Sequence, residues 1–210
     1  MSLPINDSAV LTAARGFVFI GDVGATSPTP EEIKAFKPDT DGRTDFKGFR
    51  NVGHTDRGDL PEWGVDGGDQ ERKGTWQTDN LRLVTTDPAV DSVTFKLQQW
   101  DEQTLSLHYG AKNASTVAGE YAVNDGLASG LQHSLLIVIV DGGVNVGFFA
   151  SKASMKRSDS IELATDEFAK FPVRATFVKN PGDPLFKWLI GAIPAPPAAS
   201  TTSDSGKRAA

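Results

Sequence analysis

The chain has 210 residues, with 27 acidic and 21 basic side chains and a formal charge of -6 at pH 7. This acid excess argues against tight phosphate binding, and the absence of cysteine excludes disulfides and thiolate metal sites. The longest aliphatic run, Leu135 to Val140, has six residues, far below the roughly 20 that a membrane-spanning helix needs.

The first part of the chain predicts an arm, a strand, a short helix and two weaker strands. Residues 1–14 have neither a basic start nor an apolar core, so we expect a loose N-terminal arm and not a signal peptide. Phe17 to Ile20 predicts a strand. Thr29 to Glu32 combines an N-cap, a proline at the first helical position and a glutamate three residues after the cap, and the helix must end before Pro38. The weaker strands are predicted around residues 49–53 and 60–65.

A polar, glycine-rich segment follows at residues 66–80. It carries two more acids than bases, and its only large apolar side chain is Trp76. Such a segment cannot form a core of its own, and long structureless segments in compact domains tend to be functional or disordered. The sequence therefore predicts a long extended loop.

The best helix is predicted after two further strands, at residues 81–85 and 92–99. Asp101 is suited to be its N-cap, and Gly110 is suited to end it. Leu105 and Tyr109 are four residues apart and share one helix face. We therefore predict that Trp100, Leu105 and Tyr109 anchor this helix to the core.

The remainder of the chain predicts strands and a tail. Asp141-Gly142 is a strong hairpin turn. The run from Leu135 to Val140 is apolar on both faces, so a helix, another sheet or a neighbouring subunit must cover each side. Residues 191–210, rich in Pro, Ala, Ser and Thr, are expected to form a disordered tail. The predicted strands are 119–123, 131–140, 144–152, 160–164 and 172–179, followed by an apolar segment at 185–190.

Together these elements predict a mainly β fold. We expect a two-sheet antiparallel β-sandwich or barrel with one flanking α-helix and a long extended loop. The sandwich domain would cover residues 15–190, between the arm at 1–14 and the tail at 191–210.

The sequence offers no catalytic signature. His54, His108 and His133 do not stand at metal-ligand spacing, and we predict surface or packed histidines. Neither a phosphate-binding loop nor a nucleophile elbow is present, and no pair of carboxylates stands out. We therefore expect no catalytic residue, no metal site and no cofactor, which points away from an enzyme.

A succession of short motifs between residues 15 and 190 carries a resemblance. The motifs are Val52 to Thr55, Gly74 to Gln77, Leu81-Arg82, Ser92 to Phe95, Trp100 to Leu105 with Tyr109-Gly110, Phe171 to Val173, Thr176-Phe177, Leu185-Phe186 and Trp188-Leu189. In this order and spacing, they resemble the major tail proteins, or tail tube subunits, of siphovirus-type tailed bacteriophages.

This resemblance implies an architecture and a role. Six such subunits form a ring, rings stack into the tube through which DNA is ejected, and subunit strands join into a barrel around the lumen. DNA would pass without specific binding, and a tape measure protein and a tail terminator would be partners. The protein would be made in the host cytoplasm and reside in the virion tail, without a membrane. A long loop would reach the neighbouring ring, and its contact residues would be Asp66, Gly67, Gly68, Asp69, Arg72, Lys73 and Trp76.

Two alternatives remain open at this stage. One is another structural virion protein, such as a tail terminator or a head decoration protein. The other is a carbohydrate-binding β-sandwich, because sugar sites use exposed aromatic side chains beside acids and amides, and Trp63 or Trp76 could serve in this way.

Overall fold

The computed structural model describes residues 10–124 and 130–191. Most of the predicted N-terminal arm and nearly all of the predicted C-terminal tail therefore lie outside the described residues. The mainly β class is confirmed: a large antiparallel sheet is accompanied by a small two-stranded sheet and one main helix. The strands are β1 Arg15–Gly21, β2 Arg50–Asn51, β3 Glu62–Asp66, β4 Gln70–Thr75, β5 Thr78–Thr85, β6 Val90–Leu97, β7 Leu131–Asp141, β8 Val144–Arg157, β9 Phe171–Phe177 and β10 Lys187–Ile190; the helices are α1 Pro30–Lys34 and α2 Glu102–Tyr109, with a 3-10 turn at Asp41–Arg43.

The large sheet has the strand order β2-β1-β7-β8-β9-β6-β3, and all its pairs are antiparallel. The 14-residue strand β8 pairs with β7 along one edge. Its other edge is shared, because Val146 to Phe149 pair with β10 and Ala153 to Arg157 pair with β9. The sheet therefore divides at β8 into two parts.

The first core lies between these two parts of the sheet. Side chains from β1 and β7, such as Val18 and Ile137, belong to the same buried cluster as Phe95 of β6 and Val173 of β9. Phe148 of β8 lies in this cluster and is fully buried. Each Å² of apolar surface that is removed from water stabilises the fold by about 25 cal/mol, so this cluster is a main source of stability.

The second core covers the opposite face of β1 and β7. Leu136, Val138 and Val140 alternate with the residues that enter the first core, as a strand apolar on both faces requires. Ile33 of α1 and a group of phenylalanines cover this second face. The chain itself therefore covers both sides of β7, and no neighbouring subunit is needed there. The phenylalanines are Phe19, Phe36, Phe46, Phe49 and Phe149.

Local signals placed the ends of α1 and α2 correctly. Thr29 forms the predicted capping box with Glu32, whose carboxylate accepts from the Thr29 backbone N–H at 2.9 Å. Asp101 accepts from the Thr104 N–H at 2.7 Å, and Gly110 ends α2 with a left-handed φ of 65°. Asn145 of β8 adds a contact that the sequence did not indicate. Its amide donates to the carbonyls of Ile33, Lys34 and Phe36 at and just beyond the C-terminal end of α1, where helix carbonyls lack partners within the helix.

Two predicted strands are wrong. In 119–123, local hydrogen bonds replace a strand ladder: the Ala122 N–H donates to the side-chain oxygen of Asn113 at 3.0 Å, and the Ala122 carbonyl accepts from the Ala114 N–H at 2.9 Å. In 160–164, Glu162 makes only an isolated bridge to Lys170, and β8 extends further than predicted, to Arg157.

Candidate functional site

The predicted loop at 66–80 is largely a β-hairpin. Strands β4 and β5, joined at Trp76-Gln77, pair with each other and with no other strand of the described residues. We call residues 70–85 the hairpin arm. All of β4 is exposed to solvent, and in β5 only Val84 is partly covered. Within the predicted extended loop, residues 70–75 and 78–80 form strands, because the two strands satisfy each other's backbone groups without needing a core.

The base of the hairpin arm is held against the large sheet. The carboxylate of Asp66 at the end of β3 pairs with the guanidinium of Arg174 in β9, which also donates to the Ser92 hydroxyl at 3.0 and 3.1 Å. Gly67 and Gly68 then have φ of 73° and 79°, a backbone conformation that favours glycine. The predicted residues Asp66, Gly67, Gly68 and Asp69 thus form the junction between arm and sheet.

The tip of the hairpin arm is Trp76, which is 98% exposed. A register shift between Lys73 and Thr75 places an extra residue, Gly74, just before the turn. A Cβ at Gly74 would lie 2.4 Å from the Asp79 carbonyl oxygen, so the bulge requires glycine. The indole of Trp76 therefore makes almost no contact with the described residues of its own chain.

The arm also presents two leucines that the sequence prediction did not assign to the site. Arg72 lies opposite Leu83, and Leu81 points to the same face by strand alternation. Leu81 and Leu83 are each 60% exposed. In the sequence, the only sign of these two leucines was that they alternate with polar residues, and this pattern predicts a strand with one buried face. On the other face, Lys73 pairs with Glu71 at 2.5 Å. A shallow hollow on the arm is lined by Arg72, Asn80, Arg82 and Leu83.

A second candidate surface is the outer edge of β3. This strand is the last of the large sheet and pairs only with β6, so the backbone groups on its other edge have no strand partner among the described residues. The exposed side chain of Val65 stands on it. Trp63, by contrast, packs on Phe148 and Trp188 with ring centroids 5.3 and 5.2 Å apart. Free sheet edges readily pair with another chain.

The predicted helix anchors lie at the side of the contact between α2 and the sheet. Leu105 is partly buried against the first core. Tyr109 is also partly buried, and its ring stacks on that of Tyr121 with the ring centroids 6.1 Å apart. Trp100 is 62% exposed, although its ring packs edge-on to Phe171. The fully buried face of α2 consists of Thr104, Leu107 and His108. The 3.6-residue period allowed either face, and only the packing of α2 on β8 and β9 decides between them.

The described residues give no support for a metal site. No group of three or more His, Asp or Glu among them could hold a metal ion. His54 is exposed, His108 is buried and His133 is partly buried. Burial, as the main cause, lowers the pKa of both His108 and His133. No described helix is long and apolar enough to cross a membrane.

Comparison with known proteins places the chain in a family. The family model described as "Phage tail tube protein" matches residues 3–200. The chain belongs to this tail tube family. It is 44% identical over 185 residues to the major tail protein Gp23 of Mycobacterium phage D29, and 44% identical over 187 residues to that of Mycobacterium phage L5. Each alignment covers 88% of this chain and 92% of the relative.

Membership of the tail tube family decides between the functions left open by the sequence. The tail tube protein is a structural component of the virion tail, not an enzyme, and it self-assembles into a tail tube. Trp63 does not offer the exposed aromatic ring that a carbohydrate-binding site would use, because this ring packs against Phe148 and Trp188. Trp76 remains available for contact with another protein surface.

Proposed function

We propose that this tail tube protein forms hexameric rings that stack into a tube, and that the hairpin arm bridges one ring to the next. The observation that carries the proposal is the arm itself. It exposes Trp76 at its turn and Leu81 and Leu83 on β5, and neither of its strands pairs with any other described strand. An isolated two-stranded hairpin is at best marginally stable in water, so a partner surface would stabilise it.

Within a ring, the outer edge of β3 is our candidate for the contact between subunits. Its unpaired backbone groups can extend the sheet into a neighbour and so contribute to a continuous barrel. Subunits related by a rotation that closes on itself form a ring, whereas subunits related by a translation form a stack that can continue. The tube therefore needs two different contacts, and the β3 edge and the hairpin arm supply one candidate for each.

The lumen would carry DNA without holding it. A protein binds DNA tightly when it neutralises phosphates and releases their counterions. The chain has a formal charge of -6, which allows a bore poor in positive charge. A tape measure protein inside the tube and a tail terminator at its end complete the proposed set of partners.

Shortening the arm tests the proposal directly. Residues 70–85 are replaced by a short Gly-Ser linker, and both proteins are examined by negative-stain microscopy under conditions in which the unmodified chain forms tubes. The large sheet does not depend on the arm, so we expect a folded protein that remains as subunits or single rings.

A matched control replaces the exposed segment 116–120, between α2 and β7, with Gly-Ser of equal length. This control should still form tubes, and circular dichroism should show that both variants are folded. Normal tubes from the arm-shortened protein would refute the bridging role.

A further inference from the structure

A second projection stands between β8 and β9, at residues 158–170, which we call the acidic loop. It exposes two large apolar side chains, Leu163 at 71% and Phe168 at 79%. Asp159, Asp166 and Glu167 are acidic residues of the same loop. Large exposed apolar side chains so close together typically mark an interaction site.

The acidic loop is held in place at its base. Glu162 and Lys170 exchange both backbone hydrogen bonds at 3.0 Å. The Lys170 ammonium lies 2.8 Å from Glu167, 3.2 Å from Asp56 and 3.4 Å from Asp59. Such an arrangement positions the apolar side chains before any partner arrives, which lowers the entropic cost of binding.

A second lysine continues this network into the large sheet. Lys96 of β6 lies 2.9 Å from Glu162 and 3.0 Å from Asp59. Hydrogen bonds to these carboxylates raise the pKa of Lys96, and those from Lys96 and Lys170 lower the pKa of Asp59. When these groups are charged, their ion pairs therefore hold the acidic loop against its own large sheet.

The acidic loop and the hairpin arm project from opposite ends of the same strands. Strand β6 begins at Val90, shortly after the base of the arm, and its last residue, Leu97, pairs with Phe171, the first residue after the acidic loop. The seven steps from the first to the last residue of this eight-residue strand separate the two ends by roughly 23 Å. Because the base of the arm lies at the end of β6 opposite to its own acidic loop, the arm is placed to meet the acidic loop of another copy.

The two projections are complementary in charge and in apolar character. In residues 70–85, Arg72, Lys73 and Arg82 outnumber the acids Glu71 and Asp79. In residues 158–170, four acids stand against Lys170 alone, and Asp166 is exposed. Each projection also exposes large apolar side chains: Trp76, Leu81 and Leu83 on the arm, and Leu163 and Phe168 on the acidic loop.

We propose that the acidic loop is the receptor for the hairpin arm of a second copy of this chain in the adjacent ring. Leu163 and Phe168 pack on Leu81 and Leu83, and Asp166 lies near Arg72. This inference rests on the proposed function, since it names the surface that the arm meets. The contact joins two different patches head to tail, so it propagates along a stack and does not close on a dimer.

Disulfide cross-linking tests the contact in a chain that has no cysteine of its own. Leu83→Cys and Phe168→Cys are introduced together, and tubes of the full chain are oxidised; phage tails carrying the variant serve if the purified chain does not polymerise. A disulfide requires Cα atoms within about 7 Å, so the two positions cannot pair within one chain. We expect a ladder of covalent oligomers on a denaturing gel.

Each single-cysteine variant should give no ladder. A control pair, Leu83→Cys with Val117→Cys, matches the exposure of the second site, because Val117 is also largely exposed. Tubes without a ladder from the first pair, or a ladder only from the control pair, would overturn the proposal.

Charge exchange gives a second measurement that does not need cysteines. Asp166→Arg and Arg72→Asp should each reduce tube formation, and the two together should restore it, because the pair regains opposite charges. Glu120→Lys is the control for charge alone, since Glu120 makes its described hydrogen bonds through the backbone. No loss from either single change, together with no ladder, refutes the contact.

These outcomes separate the two proposals. If the arm-shortened chain forms normal tubes, the bridging role of the arm fails. If shortening abolishes tubes while Leu163→Ser with Phe168→Ser leaves them intact and no ladder forms, the arm still bridges rings, but the acidic loop is not its receptor.

Discussion

A buried neutral histidine lies at the junction between α2 and the large sheet. The Nδ1 atom of His108 is 3.0 Å from the carbonyl oxygen of Pro172, which can only accept, so Nδ1 carries the proton. Burial, as the main cause, and the charge of Arg157 lower the pKa of His108. Protonation of the ring is therefore less favourable in the folded state than in the unfolded state.

Stability should fall as the pH decreases through the usual histidine range. The unfolded chain takes up the proton near pH 6.5 while the folded chain resists it, so the unfolded state binds more protons and the free energy of unfolding declines below that pH. Each such group contributes a slope of at most about 1.4 kcal/mol per pH unit. Urea unfolding at pH 7.5 and 5.5 measures this slope.

In that experiment His108→Gln should show a smaller decline than the unmodified protein. Part of the decline should remain, because burial also lowers the pKa of His133. Equal slopes for the two proteins would mean that His108 takes up its proton equally well in the folded state.

Packing of α2 on the sheet predicts unequal effects of two neighbouring leucines. Leu107 is fully buried, whereas Leu105 is only partly covered by the first core. Leu107→Ala should lower the free energy of unfolding by about 2–5 kcal/mol, and Leu105→Ala should lower it less. Denaturant titration of the two variants gives the comparison. A larger loss for Leu105→Ala would show that the opposite face of α2 carries the packing.

Element ends followed from the sequence where the signal was local. The capping box at Thr29, the Asp101 and Gly110 caps of α2 and the turn at Gly142 depend on residues within a few positions. The two-faced strand β7 was also predictable, because its composition requires cover on both sides.

Features that depend on how elements pair and pack were missed. The strand at 81–85 was predicted, but residues 66–80 were expected to be a loop because they carry charges and glycines, and backbone pairing within the hairpin makes β4 a strand. The most deeply buried residues of α2, Thr104, Leu107 and His108, were not predicted, because the helix period does not say which side meets the sheet. For the candidate site, Trp76 followed from composition, but the leucines of the arm did not, since an alternating pattern usually indicates a half-buried strand.

At the scale of the whole molecule, the surfaces that can join copies of the chain lie at the two ends of the strands and along one edge of the large sheet. The hairpin arm and the acidic loop leave from opposite ends of β6 and β9, and the free edge of β3 lies alongside them. Contacts at the two ends would extend an assembly along the strands, and contacts at the edge would extend it sideways. This separation lets one subunit take part in a ring and in a stack at the same time.

The last prediction concerns the order of the arm before and after assembly. In the free subunit its only strand partner in the described chain is itself, so local opening should be frequent and its amide hydrogens should exchange quickly. In tubes, contact with the adjacent ring should protect the amides of β4 and β5. Strand β7, buried on both faces in the subunit itself, should be protected in both states and serves as the internal reference. Hydrogen exchange followed by mass spectrometry on free subunits and on tubes measures both regions. Equal exchange of the arm in the two states would show that it stays in solvent, and the stack would then have to be held by the remaining surfaces.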